Sequence, residues 1–306
     1  MEATGALLVL AVPVALAGAA AMGLANVAQS RATQHVPVSG FLDPRLIWHL
    51  LRDSGWLIGT GATLAGLVLQ VVALGFGPLL LVQPLLVTAL PFTTVFAAWA
   101  RHRRIDRVIV IGVGLCVAGL CAFLLTARPA QASDRLVGSS RVLPLAITFA
   151  VVVACCLTLA YRTHRAVRVV ALALATGVVY GVTAGLMKII SGQFRIGFGV
   201  PFTSWALYVG CVIGPIGFLL SQSTFQQGKM ATPAVAVITT VDPLVGVGIG
   251  VSWFGETVHT SPGALVGEMI AALAIISGVA LLAHRGEALK RSATQAARGA
   301  QRRSPS

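Results

Sequence analysis

Charge is what this sequence lacks. Only 10% of its 306 residues are Asp, Glu, Lys or Arg, and only nine are acidic. A soluble domain carries about 25% charged residues, so this chain cannot clothe a globular surface in polar groups. A Walker A loop is missing, which excludes a P-loop ATPase on this chain. No H-E-x-x-H or G-x-S-x-G appears, which removes the usual signatures of intramembrane hydrolysis. The five cysteines, Cys116, Cys121, Cys155, Cys156 and Cys211, are odd in number, contain no C-x-x-C pair and lie inside apolar runs. They read as small hydrophobes, not as a disulfide framework or a metal site. The six histidines fall in loops or at the ends of apolar runs and form no constellation. The chain reads as a non-enzyme that needs no cofactor.

What is present is apolar length. Hydrophobic residues make up 57% of the chain, and several runs reach the ~20 residues that cross a bilayer as a helix. The short alternating segments of a β-barrel are not seen. The fold class is an all-α polytopic membrane protein, with nine spans expected at about 5–27, 55–76, 78–100, 108–127, 142–161, 169–190, 204–225, 232–254 and 263–284. The first run follows Glu2 with no basic leader and continues to Ala25, so it reads as a retained helix, not a signal peptide. The piece 42-LDPRLIWHLL-51 suggests an interfacial helix, and 285–306 a basic, frayed cytoplasmic tail.

The net charge of +13 comes mostly from short Arg clusters between the runs. With the N-terminus outside, 17 of the 22 Lys and Arg residues fall on the inner side. That favours a multi-pass protein of the cell membrane, N-terminus outside and C-terminus inside. Nucleic acid is not an expected partner, since no soluble domain exists to carry it. The expected partners are the lipid bilayer, a small solute or cation, and a second copy of the chain.

Two stretches echo each other. The first is 76-FGPLLLVQPLLVTALPFTTVFAAWARHRRI-105. The second is 227-QGKMATPAVAVITTVDPLVGVGIGVSWFGETV-258. Each has a Gly-led turn, an apolar span with two prolines, then a Trp and a polar end. Each leads into a Gly-rich span, 112-GVGLCVAGLCAFLL-125 and 267-GEMIAALAIISGVALL-282. Spans 1–4 then match spans 6–9, and the odd span between them inverts the second set. The expected units are residues 1–127 (first repeat), 128–168 (linking span 5), 169–284 (second, inverted repeat) and the tail. Inverted repeats with interrupted helices mark secondary transporters, whose solute sits near the midplane.

Three segments carry a family resemblance: 70-QVVALGFGPLLLVQPLLVTALPF-92, 181-GVTAGLMK-188 and 217-GFLLSQSTFQQGKMATPAVAVITTVDPLVGVGIGVSWFGE-256. Together they resemble the drug/metabolite transporter (EamA-like) superfamily. The nine spans with the Q-P and V-D-P elements are most similar to its NIPA-like magnesium-transporter branch and actinobacterial relatives. The resemblance implies an alternating-access carrier in the cytoplasmic membrane; it does not fix the solute, and its branch only favours Mg²⁺. Two departures stand out: Arg101 lies where the second half has Glu256, and one helix of the superfamily's ten is missing.

Asp242, followed by Pro243, is the sharpest candidate. An acidic residue at a span centre costs about 2.5–3.5 kcal/mol on insertion scales and usually faces an interior or a water-filled path. Pro243 removes a backbone bond to Thr239. With the hydroxyls of Thr239 and Thr240, Asp242 makes an oxygen-lined cation or proton site, and it is the one metal-ligand candidate. The alternative is a proline kink whose Asp bonds a neighbouring helix. Gln83, beside Pro84, is the matching polar break of the other half, with Thr88 following. Its alternative is interhelical bonding. Asn26 lines the pocket or ends span 1. Gln222 and Gln226, one turn apart, line an inner vestibule or end an interfacial helix. Tyr180 lies on span 6. Lys188 is expected to snorkel to the outer interface, and Glu256 to cap a turn. The 181-GVTAG-185 motif reads as helix packing.

Two solute readings stay open. One is Mg²⁺ or another divalent cation at Asp242. The other is a small organic metabolite or drug, with Asp242 coupling a proton. A lipid-linked-sugar flippase, with headgroup contacts from Arg128, Arg135 and Arg141, is a variant. A non-transporting membrane scaffold is the reading from another class.

Overall fold

The computed structural model describes residues 2–32, 52–100, 107–127, 139–225, 231–257, 263 and 266–282. The segment 42–51, Gln226, Arg128, Arg135, the side chain of Arg141 and the tail 285–306 lie outside the described residues. Every extended element among the described residues is a helix. These are α1 (Glu2–Ala32), α2 (Ser54–Phe76), α3 (Leu79–Leu86), α4 (Ala89–Trp99), α5 (Arg107–Ala127), α6 (Ser139–Arg162), α7 (Arg165–Ile196), α8 (Trp205–Phe225) and α9 (Ala231–Phe254). A last helix, α10, covers Val266–Leu282.

Seven of these stretches are long and apolar enough to cross a membrane, with α3 and α4 together forming one of them. The described apolar parts of the other two, Arg107–Phe123 and Val266–Leu282, are shorter. Their outer faces are greasy: Ile58, Leu64 and Val68 on α2, and Leu143, Ile147 and Val151 on α6, are all exposed. Water would not tolerate this many contiguous apolar side chains, and lipid does. The chain is a membrane-embedded helical protein.

Glycine decides how the helices meet. Ideal Cβ atoms on Gly177, Gly181 and Gly185 of α7 would lie 2.7, 2.6 and 2.8 Å from side-chain carbons of Val241, Val245 and Ile249 on α9. The matched spacing makes α7 and α9 a parallel pair in backbone-to-side-chain contact, the small-x-x-x-small packing expected at 181–185. On α5 and α10 the pairs Gly112–Leu282, Gly119–Ile275 and Cys116–Gly278 run in opposite order, so these helices are antiparallel. So are α1 and α2, joined at Gly18–Leu69, Met22–Gly66 and Gln29–Gly59. Likewise α3 and α9 are antiparallel, with Gly250 against Leu79 and Gly246 against Gln83.

The two proline-bearing spans differ from expectation. The third span does break, but at Val87–Thr88, one turn beyond Pro84. There Val87 N–H donates to Pro84 O and Thr88 N–H to Leu85 O, and the Thr88 hydroxyl also donates to Leu85 O at 2.6 Å. Pro91 has no N–H to offer the Val87 carbonyl, which instead accepts from Leu90 N–H at 3.1 Å. By contrast, α9 runs unbroken through Asp242–Pro243. Pro243 costs one ladder bond, while the α7 glycines pack against Val241 just before it and against Val245 and Ile249 beyond it.

A side chain at Gly181 has nowhere to go. Gly181→Leu is expected to destabilise the protein by about 1–3 kcal/mol through overpacking, read as a lower thermal midpoint in detergent. Gly61, whose added Cβ would meet nothing within 4 Å, supplies the control: Gly61→Ala should not lower the midpoint.

Candidate functional site

The turn between α2 and α3 lies wholly inside protein. The last carbonyls of α2 and the first N–H groups of α3 have no helical partners there. Lys188 of α7, 0% exposed, donates to the carbonyls of Leu74 and Gly77, both at 2.9 Å. Glu256, 1% exposed, accepts from Leu79 N–H at 2.7 Å on Oε1 and from Leu80 N–H at 2.8 Å on Oε2. A cation thus closes a helix C-terminus and an anion a helix N-terminus, each the sign the helix dipole favours. Glu256 caps, as its position suggested. Lys188 does not snorkel: backbone carbonyls inside the bundle hold its ammonium, so that expectation is corrected.

Local sequence builds the Glu256 arm. Gly255 has φ 62°, left-handed backbone open to glycine at no steric cost. It folds the chain back so that Glu256 N–H donates to Gly250 O at 3.0 Å. Gly250 must also stay bare, since a Cβ there would sit 2.7 Å from Glu256 Oε2.

Gln83 and Asp242 lie deeper in the same seam, on facing helices. Gln83 is 0% exposed, and its amide lies on Gly246, one turn along α9 from Asp242. Continued by one turn, the α3–α9 register sets Asp242 level with the break at Val87–Thr88. Asp242 Oδ1, Gln83 Oε1 and Gln83 Nε2 are sealed from solvent without a hydrogen-bond partner among the described residues. Tyr180 lies within electrostatic reach of Asp242 and of Ser221. Gly217 makes room for the Tyr180 ring, which an added Cβ there would approach to 3.0 Å.

From Ser221 the polar chain continues. Gln222 Nε2 donates to Gln29 Oε1 at 2.9 Å and reaches Ser221 Oγ at 3.5 Å. Trp56 Nε1 donates to Gln222 Oε1 at 3.3 Å, and Gln29 Nε2 to Thr63 Oγ1 at 2.8 Å. Asp242, Tyr180, Ser221 and Gln222 therefore follow one another across α9, α7 and α8, Gln83 stands apart from them against Gly246, and Thr239 is half-buried one turn before Asp242. Thr240 is exposed on α9 and falls outside the cluster. Asn26 turns to Thr93 of α4 at 3.5 Å, and Thr88 is spent on its own backbone at the break. Among the described residues no group of three or more His, Cys, Asp or Glu could hold a metal ion.

No protein-family model matches the chain, and no solved structure matches it. The chain is similar to an uncharacterized protein of Corynebacterium glutamicum, 26% identical over 274 residues, which is 89% of this chain and 94% of that protein. The match spans both halves of the helix order and brings no activity with it.

Lys188→Met removes the donor to two buried carbonyls. It should cost about 1–3 kcal/mol of stability, measured by thermal or denaturant unfolding in detergent. Gly250→Ala, which displaces the Glu256 carboxylate, should lower stability comparably although residue 250 carries no polar side chain.

Proposed function

We propose that the protein is a secondary transporter working by alternating access, with Asp242 as its ion- or proton-binding carboxylate and Gln83 facing it. One observation carries the reading: on the facing helices α9 and α3, a carboxylate oxygen of Asp242 and both polar atoms of the Gln83 amide are sealed from solvent and without a partner among the described residues. Buried polar groups are normally satisfied, and each such orphan costs about 1–3 kcal/mol. A ligand that meets them restores that loss, which is how a carrier discriminates a loaded from an empty site.

The antiparallel seams α3–α9 and α5–α10 support two inverted repeats, residues 1–127 and 169–284, because helices related by an axis in the membrane plane run in opposite directions where they meet. The pair α7–α9 has its counterpart in α1 and α4, which meet at Gly23 and Phe92. The resemblance to the NIPA-like branch of the drug/metabolite superfamily points to Mg²⁺ or another divalent cation. Such an ion keeps several waters and needs only one or two carboxylates, here Asp242, with Gln83 Oε1 as a neutral ligand. Gln83 Nε2 favours a second reading, a proton-coupled small organic solute. A metal ion would leave that amide donor unmet, whereas an organic acceptor would satisfy it.

In the mechanism, one half rocks against the other about the α3–α9 seam, and the site meets each side in turn. Asp242 holds the cation or proton during the swing, and Tyr180 passes the change of charge to Ser221 and Gln222. By its basic residues, the chain would lie in the cell membrane with the N-terminus outside.

Mg²⁺ flux into proteoliposomes tests the first reading. Wild type is expected to carry the ion, and Asp242→Asn to lose at least about tenfold, as removal of a ligand or coupling charge requires. Gln83→Leu is expected to weaken apparent affinity with less effect on the maximal rate. Absence of Mg²⁺ flux in folded wild type sinks the cation reading, and substrate-evoked proton movement then tests the second.

A further inference from the structure

We propose that the Lys188–Glu256 clamp and the Gln222–Gln29–Trp56 network are the two gates of this carrier, one at each end of the same seam and opened in alternation. The proposal rests on the carrier reading and adds to it which residues shut each end.

Both sets of bonds join the two halves of the chain. At one end Lys188 and Glu256, from the second half, hold Leu74, Gly77, Leu79 and Leu80 of the first. At the other end Gln222, from the second half, bonds to Gln29 and Trp56 of the first. Leu74 and Trp56 lie on one helix, 18 residues and therefore about 27 Å apart. That distance nearly spans a hydrocarbon core of about 30 Å, so the two sets sit toward opposite membrane faces. Between them the seam is made of glycine contacts, Gly246 on Gln83 and Gly250 on Leu79. Such contacts can tilt without breaking a polar bond.

The chemistry suits reversible opening. Every group in both sets is one that water solvates well: ammonium, carboxylate, amide, indole N–H, and the N–H and C=O groups of a helix turn. Separation at a mouth exchanges these bonds for bonds to entering water, so the net cost of opening is modest. An apolar plug would gain nothing from that water. The sides are also unequal. Tyr180 lies between Asp242 and Ser221, the neighbour of the glutamine gate, which puts the carboxylate in electrostatic reach of that end.

The test uses thiol accessibility, which needs no solute and so stands or falls apart from the solute assignment. The five native cysteines are replaced. Leu80→Cys reports the clamp end and Ser221→Cys the glutamine end, both positions being almost fully buried. Proteoliposomes are treated with a membrane-impermeant maleimide from each side. Glu256→Gln is expected to speed labelling of the Leu80→Cys reporter about tenfold, the population shift that loss of one charge-assisted hydrogen bond brings. It should at the same time slow labelling of the Ser221→Cys reporter. Gln222→Leu should produce the reverse pair of changes, and it keeps the test available if Glu256→Gln fails to fold. Reporters that speed up together would make these residues simple staples, and reporters that do not respond would show that neither set holds its end shut. Either result overturns the proposal.

Discussion

A helix end enclosed in a closed apolar bundle must have its bare N–H and C=O groups met by side chains, because while the bundle is closed neither water nor lipid reaches them. This constraint governs the turn at Gly77–Pro78. Lys188 on α7 and Glu256, just beyond the end of α9, answer it from more than a hundred residues away. They converge only because α7 and α9 lie in near backbone contact, and that contact exists only because residues 177, 181 and 185 are glycine. Gly255 and Gly250 then aim and house the carboxylate. Five glycines on the second half therefore fix a turn on the first.

The helices were legible because hydropathy is a local property: run length and glycine spacing place each span without knowledge of its neighbours. The Glu256 cap was legible as well, since it follows a helix end and a glycine. Lys188 was not. Its position near a span end reads as snorkelling, and nothing local reveals carbonyls presented by another helix. Gln222 was placed in a polar cluster by its spacing to Gln226, yet its partner is Gln29, 193 residues away in sequence. Proline was read too literally. Pro84 and Pro243 both sit inside continuous helix, and the break falls where Pro91 leaves a carbonyl without its usual donor. Packing on both sides decides whether a proline bends a helix.

The distribution of polar groups gives the protein its character. At both ends of the inter-half seam polar side chains bond across it, Lys188 and Glu256 at one and Gln222 at the other. Midway along it, Asp242 Oδ1 and the Gln83 amide are sealed but unsatisfied among the described residues. A scaffold would have no use for such an arrangement, because apolar residues of similar size would be more stable there. A carrier needs this contrast: closed ends that can reopen, and a middle whose polar groups wait for a ligand.

Alternation between two shapes is the central claim, and a pulsed-EPR distance across the clamp end tests it most directly. Spin labels fit at Gly75→Cys, where an added side chain meets open space, and at exposed Thr257→Cys. In bilayers the account predicts two distance populations whose ratio moves with pH or Mg²⁺. A single narrow distance under every condition would contradict it, and would leave a rigid membrane protein in place of a carrier.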